Sequence, residues 1–412
     1  MIPRHQKFFY AAGPGDIVTT FQNWSARRTD PNQLAQTYSA QFFDLCAERD
    51  ATAWAVSSCP RKETVRSGRF LVRNCPKPLH SRGRFTYALN QFIYGVFLLL
   101  LILRLRPDAA IIADGSASWW TLIPARLLGV RIVPSLHCVL FSGTEAVPSN
   151  PRLKDLPDAF FFSRVADSCL CVSGRVGIQL DALTGGRTPW KTFLPTYPVH
   201  TFEQLPKPVY GKTPFRLLYS GRVEADKGVF LLVDAVEQLV REKHLQIHLD
   251  ICGDGNALPA LHDEIHRRNL SSRIALHGHC QSRELHDFLA RSHVLVVPTT
   301  SHFVEGFNKV VAEGILAGRP VIATRVCPAT DLLGDALLTV EPDCSDALLQ
   351  PICRLADDPA LFERLRQATL THRDRFFDPR NSWKETLNRT LADPQPPTQP
   401  ATRNPQPTTR NS

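Results

Sequence analysis

The chain has 412 residues, a formal net charge of +9 and a hydrophobic share of 43%. This length predicts two domains of similar size, and the hydrophobic share is sufficient for ordinary cores. Residues 1–200 hold 23 Lys and Arg against 13 Asp and Glu, whereas residues 201–412 hold 25 against 26. The basic first half can be a solvated surface, contact an anionic membrane or bind a phosphorylated substrate; no recognisable motif favours nucleic acid.

The cysteine pattern and the N-terminal sequence indicate the cellular compartment in which the protein is expected. Eleven cysteines are scattered without a C-x-x-C pair. This pattern predicts small buried thiols in a reducing compartment, and argues against a disulfide framework or a zinc site. No signal peptide is recognisable, because the apolar run 7–13 soon turns into a polar loop. We therefore expect a cytoplasmic protein, with peripheral contact at the inner membrane face left open.

Short apolar strands alternate with helical patterns through the first half. Residues 8–12 are the first predicted strand, and Gly13, Gly15 and Asp16 form the turn after it. The apolar spacing of residues 33–46 predicts a helix. Further strands are predicted at 52–56, 69–72, 109–113, 130–133 and 168–173, and helices at 119–128 and 176–183. Alternation of this kind, with strands apolar on both faces, predicts a parallel sheet covered by helices.

The longest apolar run is 92–103. It is shorter than the ~18–20 residues that a membrane-spanning helix needs. Arginines flank it on both sides, at Arg82, Arg84, Arg104 and Arg106. We expect a buried helix here, with an interfacial helix as the alternative.

A proline-rich segment, 199–214, is the predicted linker between a first domain, 1–198, and a second domain, 215–375. In the second domain strands are predicted at 215–220, 246–252, 273–277, 294–297 and 321–324. Residues 376–392 form a predicted C-terminal helix. From 393 to 412 proline, threonine and glutamine dominate, a composition typical of a disordered tail.

The segment 298–314 is the most informative of the chain. It contains Glu305 and Glu313, eight positions apart, and Gly306, which is predicted to open a helix. Such a helix would aim free amides and its positive dipole end beside Glu305. At ~3.6 residues per turn, Glu313 would lie on roughly the same side. This arrangement suits a ligand with hydroxyls at both ends and a negative group between them, such as a nucleotide-sugar.

Three further segments accompany it: 217–228 with Arg222 and Lys227, 249–255 with a glycine turn, and 317–323. In this order the four motifs resemble those of the retaining GT-B glycosyltransferases, in particular the glycosyltransferase 4 family. The resemblance is close over 215–370 and loose before it. It implies an α/β, GT-B architecture, with two Rossmann-like doubly wound parallel-sheet domains facing an interdomain cleft and the helix 376–392 crossing back onto the first domain. Asn308 departs from the family, which often has glycine there.

The resemblance also implies roles for individual residues. Arg222 and Lys227 would contact the donor diphosphate, Glu305 the sugar hydroxyls, and Glu313 the ribose. His137 would lie against the donor sugar. Further donor contacts are expected at Gly221, Gly253, Gly255, Gly306, Phe307 and Asn308. Gly13, Gly15 and Asp16 would approach phosphate or acceptor, although an ordinary tight turn fits them equally well.

The function implied by the resemblance is transfer of a sugar from a nucleoside-diphosphate sugar to a lipid-linked or polysaccharide acceptor. We expect no cofactor and no metal, because the two cations supply the positive charge and His277 and His279 lack a third ligand. A sugar-nucleotide epimerase or hydrolase on the same scaffold is one alternative. A non-catalytic nucleotide-sugar-binding subunit is another. The sequence leaves the sugar, the base and the acceptor open.

Overall fold

The computed structural model describes residues 5–79, 83–141, 156–303 and 305–393. An eight-stranded sheet organises the first domain, in the order β3-β4-β2-β1-β5-β6-β7-β8. Its strands are β1 (Lys7–Ala11), β2 (Thr52–Ser57), β3 (Glu63–Ser67), β4 (Phe70–Asn74), β5 (Ala109–Ala113), β6 (Arg131–Leu136), β7 (Cys169–Cys171) and β8 (Trp190–Thr192). Neighbouring strands are parallel except β3 with β4. The strand order reverses between β1 and β5, which is where open parallel sheets bind ligands.

Helices cover both faces of this sheet. They are α1 (Ile17–Ser25), α2 (Tyr38–Glu48), α3 (Arg84–Leu105), α4 (Ile123–Arg126), α5 (Leu156–Arg164) and α6 (Gly174–Thr184), followed by the short α7 (His200–Glu203). Two predicted helices are shorter than expected. The helix predicted from residue 33 begins at Tyr38, because Thr37 caps it by accepting from the amide of Ala40. The helix predicted over 119–128 is a short 3₁₀ turn, Trp119–Leu122, followed by α4.

A six-stranded, wholly parallel sheet organises the second domain, in the order β11-β10-β9-β12-β13-β14. Its strands are β9 (Phe215–Ser220), β10 (Ile247–Cys252), β11 (Ile274–Leu276), β12 (Val294–Val297), β13 (Val321–Thr324) and β14 (Leu337–Val340). Its helices are α8 (Val229–Arg241), α9 (Leu258–Arg267), α10 (Ser282–Arg291), α11 (Lys309–Leu316), α12 (Ala329–Leu333), α13 (Asp346–Asp357) and α14 (Pro359–His372). The strand order reverses between β9 and β12, so the loops after these two strands meet at one crevice.

The C-terminal segment returns to the first domain through α15 (Asp374–Phe377) and α16 (Trp383–Ala392). The indole Nε1 of Trp383 donates to Ser135 Oγ at 2.8 Å, and Trp383 is fully buried. Arg49 donates to the side chain of Asn388 at 2.9 Å. These contacts join α16 to the sheet and to α2. The predicted tail, 393–412, lies outside the described residues apart from Asp393.

Helix α3 is half-buried: Tyr94, Leu98 and Ile102 lie in the core of the first domain, and the other side is exposed, so the expectation of a buried helix holds for one side of the helix only. By length and composition it is the one helix among the described residues that could cross a membrane, and 33% of its most apolar stretch is buried. Its exposed side carries large apolar residues, including Phe85 and Leu100. The helix is longer than the apolar run 92–103, because it begins at Arg84, in the mixed sequence that precedes the run.

Candidate active site

The loop after β9 carries two cations to the crevice between the domains. Strand β9 is an apolar run buried in the sheet, and Gly221 follows it with φ +146°, a conformation that favours glycine. Gly228 ends the loop with φ +76°, and a Cβ there would overlap the carbonyl oxygen of Pro298. The loop is thus packed tightly against the end of β12. Lys227 is ion-paired with Glu305, and its Nζ lies 3.7 Å from the ring centroid of Phe303.

The segment after β12 differs from the sequence prediction. Helix α11 begins at Lys309 with Asn308 preceding it, so Gly306 does not open the helix and Glu305 and Phe307 lie in the loop before it. Glu305 and Glu313 consequently share no helical face. Gly306 instead packs on the first domain, because a Cβ at this position would overlap the carbonyl oxygen of His137. The loop is therefore a contact between domains as well as a carrier of Glu305.

His137 follows β6 and is held from two sides. Its amide and that of Cys138 both donate to Asp114 Oδ2, at 2.8 and 2.7 Å. Its ring nitrogen Nε2 is hydrogen-bonded to Ser135 Oγ at 2.9 Å, and its ring lies 4.6 Å from that of Tyr38. Burial, together with the nearby positive charge of Lys309, lowers the pKa of His137 to about 3. The imidazole is therefore neutral near pH 7, which suits a hydrogen bond to a hydroxyl.

One cavity of about 340 Å³ collects these groups. It lies between the domains, with Tyr38, His137 and Cys138 on one side. The predicted residues that line it are His137, Gly221, Arg222, Lys227, Glu305, Phe307 and Asn308. Two buried polar atoms there, His137 Nδ1 and Asn308 Oδ1, have no hydrogen-bond partner in the described part of the chain. Buried polar groups are normally satisfied, so a ligand with hydroxyl groups would complete this site.

Seven predicted residues do not line the cavity, and Gly306, at the contact with His137, is one of them. Asp16 caps α1, accepting from the amide of Thr19 at 3.0 Å, and accepts from Asn74 Nδ2 at 2.8 Å. Gly13 and Gly15 belong to the same turn. Gly253 and Gly255 let the turn after β10 pack on the Arg222 loop, because a Cβ on either would overlap a carbonyl oxygen, of Gly221 or of Val223. These two glycines therefore allow the turn after β10 to pack closely against the loop that carries Arg222 and Lys227.

Glu313, the last of the seven, is a buried residue of α11. It lies near Lys309, and the hydroxyl of Tyr197 is also close to its carboxyl. Burial raises the pKa of Glu313 to about 7, and the positive charge of Lys309 opposes that rise. Lys309 itself does line the cavity. Lys309 thus lies between Glu313 and the cavity that Glu305 lines.

Lys309 and Tyr38 are among the residues of the cavity wall that sequence reasoning missed. The Nζ of Lys309 lies 5.1 Å from the Tyr38 ring and donates to Gln33 Oε1 at 3.0 Å. Lys309 could have been found as a cation within the E-x7-E segment itself. Tyr38 has no such signal, since nothing in its local sequence indicates that α2 starts at the cleft.

No group of three His, Cys, Asp or Glu side chains that could hold a metal ion occurs within the four described ranges. His277 Nε2 is paired instead with Asp250 at 2.8 Å. All eleven cysteines fall within the described ranges and are free thiols. Independence of a metal stays a prediction about the reaction.

The stability of the protein should depend on pH through His137. Its pKa is about 3 in the folded state against the ordinary 6.5, so the unfolded chain binds a proton more readily between these values. The contribution of His137 is therefore complete above pH 6.5 and is lost as the pH falls below it. Between about pH 7.5 and about pH 5 the loss should be about 2 kcal/mol.

Urea unfolding of the parent and of His137→Gln at both pH values measures this contribution. The parent should lose about 2 kcal/mol more than the variant on acidification. His262→Gln serves as the matched control, because His262 is exposed, with 71% of its side chain accessible. Equal losses in the parent and in His137→Gln would contradict the assignment of a neutral buried imidazole.

Comparison with known proteins gives a family match within the second domain. Residues 214–358 match the family described as glycosyl transferases group 1. An uncharacterised glycosyltransferase of Methanocaldococcus jannaschii is 26% identical over 61% of this chain and 66% of its own length. The alpha-D-kanosaminyltransferase of Streptomyces kanamyceticus is 25% identical over 62% and 68%. A glycogen synthase of Mycobacterium tuberculosis is 30% identical over 40% and 39%. The chain thus aligns with about two thirds of the first two relatives and with less of the third.

Solved structures resemble the described chain over nearly its whole length. HepE of Anabaena, in complex with UDP, superposes with a TM-score of 0.64 over 94% of this chain and 98% of its own, at 16% identity. Sucrose-phosphate synthase of Thermosynechococcus elongatus has a TM-score of 0.68 over 94% and 99%, also at 16% identity. At such identities the likeness concerns the fold.

Proposed function

We propose that this chain, whose residues 214–358 belong to the glycosyl transferases group 1 family and whose fold is GT-B, is a retaining glycosyltransferase that uses a nucleoside-diphosphate sugar. The observation that carries the proposal is the cavity between the domains. Arg222, Lys227 and Glu305 line it from the second domain, and His137 lines it from the first. Cations, a carboxylate and a neutral imidazole around one space match a diphosphate joined to a sugar.

The two cations would bind the diphosphate and stabilise it as it leaves. Arg222 offers a planar fork of donors and Lys227 a compact charge, both suited to phosphate oxygens. Negative charge grows on the leaving phosphate oxygen as the sugar C1–O bond breaks, so preorganised cations favour the transition state over the bound donor. Lys227 is ion-paired with Glu305 in the structure, and donor binding would exchange part of that pairing for phosphate.

Retention would follow from attack on the face that the diphosphate leaves. The acceptor oxygen forms the new bond to C1 while the C1–O(phosphate) bond breaks, and the leaving phosphate oxygen takes the acceptor proton. No enzyme carboxylate is needed as a nucleophile in this route. Glu305 is then free to accept hydrogen bonds from sugar hydroxyls, and neutral His137 and Asn308 can pair with others through their unpartnered atoms.

The acceptor would be lipid-linked or a growing polysaccharide, with the protein at the cytoplasmic face of a membrane. The basic first half and the exposed apolar side of α3 support this setting. Both features are typical of proteins that contact anionic lipid.

Purified protein incubated with a panel of nucleotide-sugars tests the function. A thermal shift selects the donor, and proton NMR of the product formed with an added acceptor gives its anomeric configuration. Transfer with retention is expected, with only slow hydrolysis when no acceptor is present. Inversion, rapid hydrolysis or epimerisation without an acceptor, or binding with no turnover, would each reject the proposal.

Glu313 would contribute to binding of the nucleoside through the ribose. Glu313→Gln keeps the size of the side chain and removes the carboxylate, so affinity for the nucleoside diphosphate should fall about tenfold by calorimetry. Affinity for inorganic pyrophosphate should be unchanged, because it has no ribose. Glu242→Gln, at an exposed position, is the matched control. Unchanged nucleoside diphosphate affinity, or an equal loss for pyrophosphate, would contradict the ribose role.

A further inference from the structure

We propose that the outer face of α3 docks onto an anionic lipid bilayer and holds the first domain at the membrane. The outer face is defined by Phe85, Leu89, Phe92, Ile93, Val96 and Leu100. The proposal rests on the membrane setting of the proposed function and is independent of how the donor binds.

Helix α3 is apolar on its solvent side as well as on its buried side, whereas an ordinary surface helix has a polar solvent side. At ~3.6 residues per turn the outer-face positions fall within ~100° of the helix circumference. Phe85 is 79% exposed, Phe92 39% and Leu100 60%. The buried side packs on the first domain through Tyr94, Leu98 and Ile102, and also holds the polar residues Asn90 and Gln91. A helix that is apolar on its solvent side as well as on its buried side fits an apolar environment outside the protein.

The apolar surface continues onto the next elements. Trp120 stacks on Phe92 with 5.3 Å between ring centroids and is 41% exposed. Leu127, just after α4, is 85% exposed, and Leu128 beside it is 48% exposed. Single exposed apolar residues are normal on proteins, whereas a contiguous patch marks an interaction site. Tryptophan is also enriched where proteins meet the membrane interface.

The charges around this surface favour an anionic lipid bilayer as the partner. Arg84 stands in the first turn of α3 and Arg104 in the last, with Arg106 directly after it; all three are exposed. No acidic residue occurs within α3. An apolar face between arginines, free of carboxylates, complements lipid tails flanked by negative head groups. A neutral protein partner or a second copy of this chain gives no comparable reason for cations at both ends.

Hydrogen bonds on the inner side show that α3 lies along the membrane instead of crossing it. Asn90 Nδ2 donates to the carbonyl of Leu79 at 2.6 Å, and Gln91 Nε2 donates to that of Gly115 at 3.0 Å. Lys77 Nζ donates to Gln91 Oε1 at 2.9 Å. Insertion across a bilayer would break these bonds and expose the polar groups to hydrocarbon. Only the outer face can therefore enter the lipid.

The same bonds connect the docking face to the cleft. Gly115 follows Asp114, and Asp114 holds the amides of His137 and Cys138. The bound surface and the cleft side of the first domain are therefore joined through a few rigid contacts.

Flotation of the full chain with vesicles tests the proposal. The parent should float with vesicles of phosphatidylcholine containing about 30% phosphatidylglycerol and float weakly with phosphatidylcholine alone. Phe92→Gln/Leu100→Gln should bind the anionic vesicles at least about tenfold less. Ile178→Gln/Val209→Gln, which changes two exposed apolar residues outside α3, is the matched control and should float like the parent. Arg104→Gln/Arg106→Gln should lose the preference for anionic lipid.

The proposal is overturned if the parent does not float, or if Phe92→Gln/Leu100→Gln floats as the parent does. It is also overturned if light scattering shows that α3 is covered by a second copy whose contact the double variant disrupts. Lys227→Ala is expected to float normally, so vesicle binding and sugar transfer can fail independently.

Discussion

Lys227→Ala is expected to lower kcat/KM for sugar transfer by about 100-fold or more, the cost typical of removing one preorganised donor from a developing charge. The Lys227 Nζ lies on the Phe303 ring and pairs with Glu305, so it is already fixed where the diphosphate would sit. A charge fixed in this way costs no reorganisation during the reaction. Turnover should therefore fall more than donor affinity does, and steady-state kinetics with a saturating acceptor measures both.

Two further variants separate the charge from packing. Lys227→Met keeps the aliphatic stem beneath Phe303 and should be as inactive as the alanine variant. Lys243→Ala removes an exposed lysine from the same domain and should leave activity unchanged. Both Lys227 variants should unfold within a few degrees of the parent. Activity within about twofold of the parent in either would remove the diphosphate assignment, since charge-assisted contacts to phosphate are strong.

The sequence predicted five of the six strands of the second domain, because β12 and β13 are apolar runs and glycines directly follow β9 and β10. Strand β9 and the turn after it fall where expected, and so do Arg222 and Lys227. The first domain was harder to predict. The hairpin strand β3 is polar and largely exposed, and it pairs antiparallel to β4, so no apolar pattern indicates it. Local pattern reveals a buried parallel strand far better than an exposed edge strand.

The site shows where sequence spacing fails. An interval of eight residues between Glu305 and Glu313 suggested one helical face, but the first half of the interval is a loop. The reason lies in tertiary contact: Gly306 must approach the backbone of His137 in the other domain, which holds the chain extended before α11. No local signal encodes a contact between residues 169 positions apart. Tyr38 was missed for the same reason, since its contact with Lys309 depends on how the domains face each other.

The contact between Gly306 and the backbone of His137 leads to the second large expected effect. In Gly306→Ala the added Cβ would lie 2.8 Å from the Cα of Cys138 and closer still to the carbonyl oxygen of His137. Both neighbours are backbone atoms, so no side-chain rotation relieves the overlap. Gly306 is not among the glycines with positive φ, so alanine should fit the local backbone and the clash should act between domains. The domains must separate, and a shift on the order of 1 Å at the reacting atoms can cost about 100-fold in rate.

The expected pattern is a loss of about 100-fold in kcat/KM with nucleoside diphosphate binding nearly retained, since that ligand contacts mainly the second domain. Gly334→Ala is the matched control: it lies in the second domain, and a Cβ there meets nothing within 4 Å. Small-angle scattering should show a more open molecule for Gly306→Ala and an unchanged one for Gly334→Ala. Parent-like activity in Gly306→Ala would mean that catalysis tolerates separated domains, and the cavity shared by His137 and Glu305 would then not be the reacting site. If nucleoside diphosphate binding disappeared together with activity, the damage would lie within the second domain, and the interdomain explanation would be wrong.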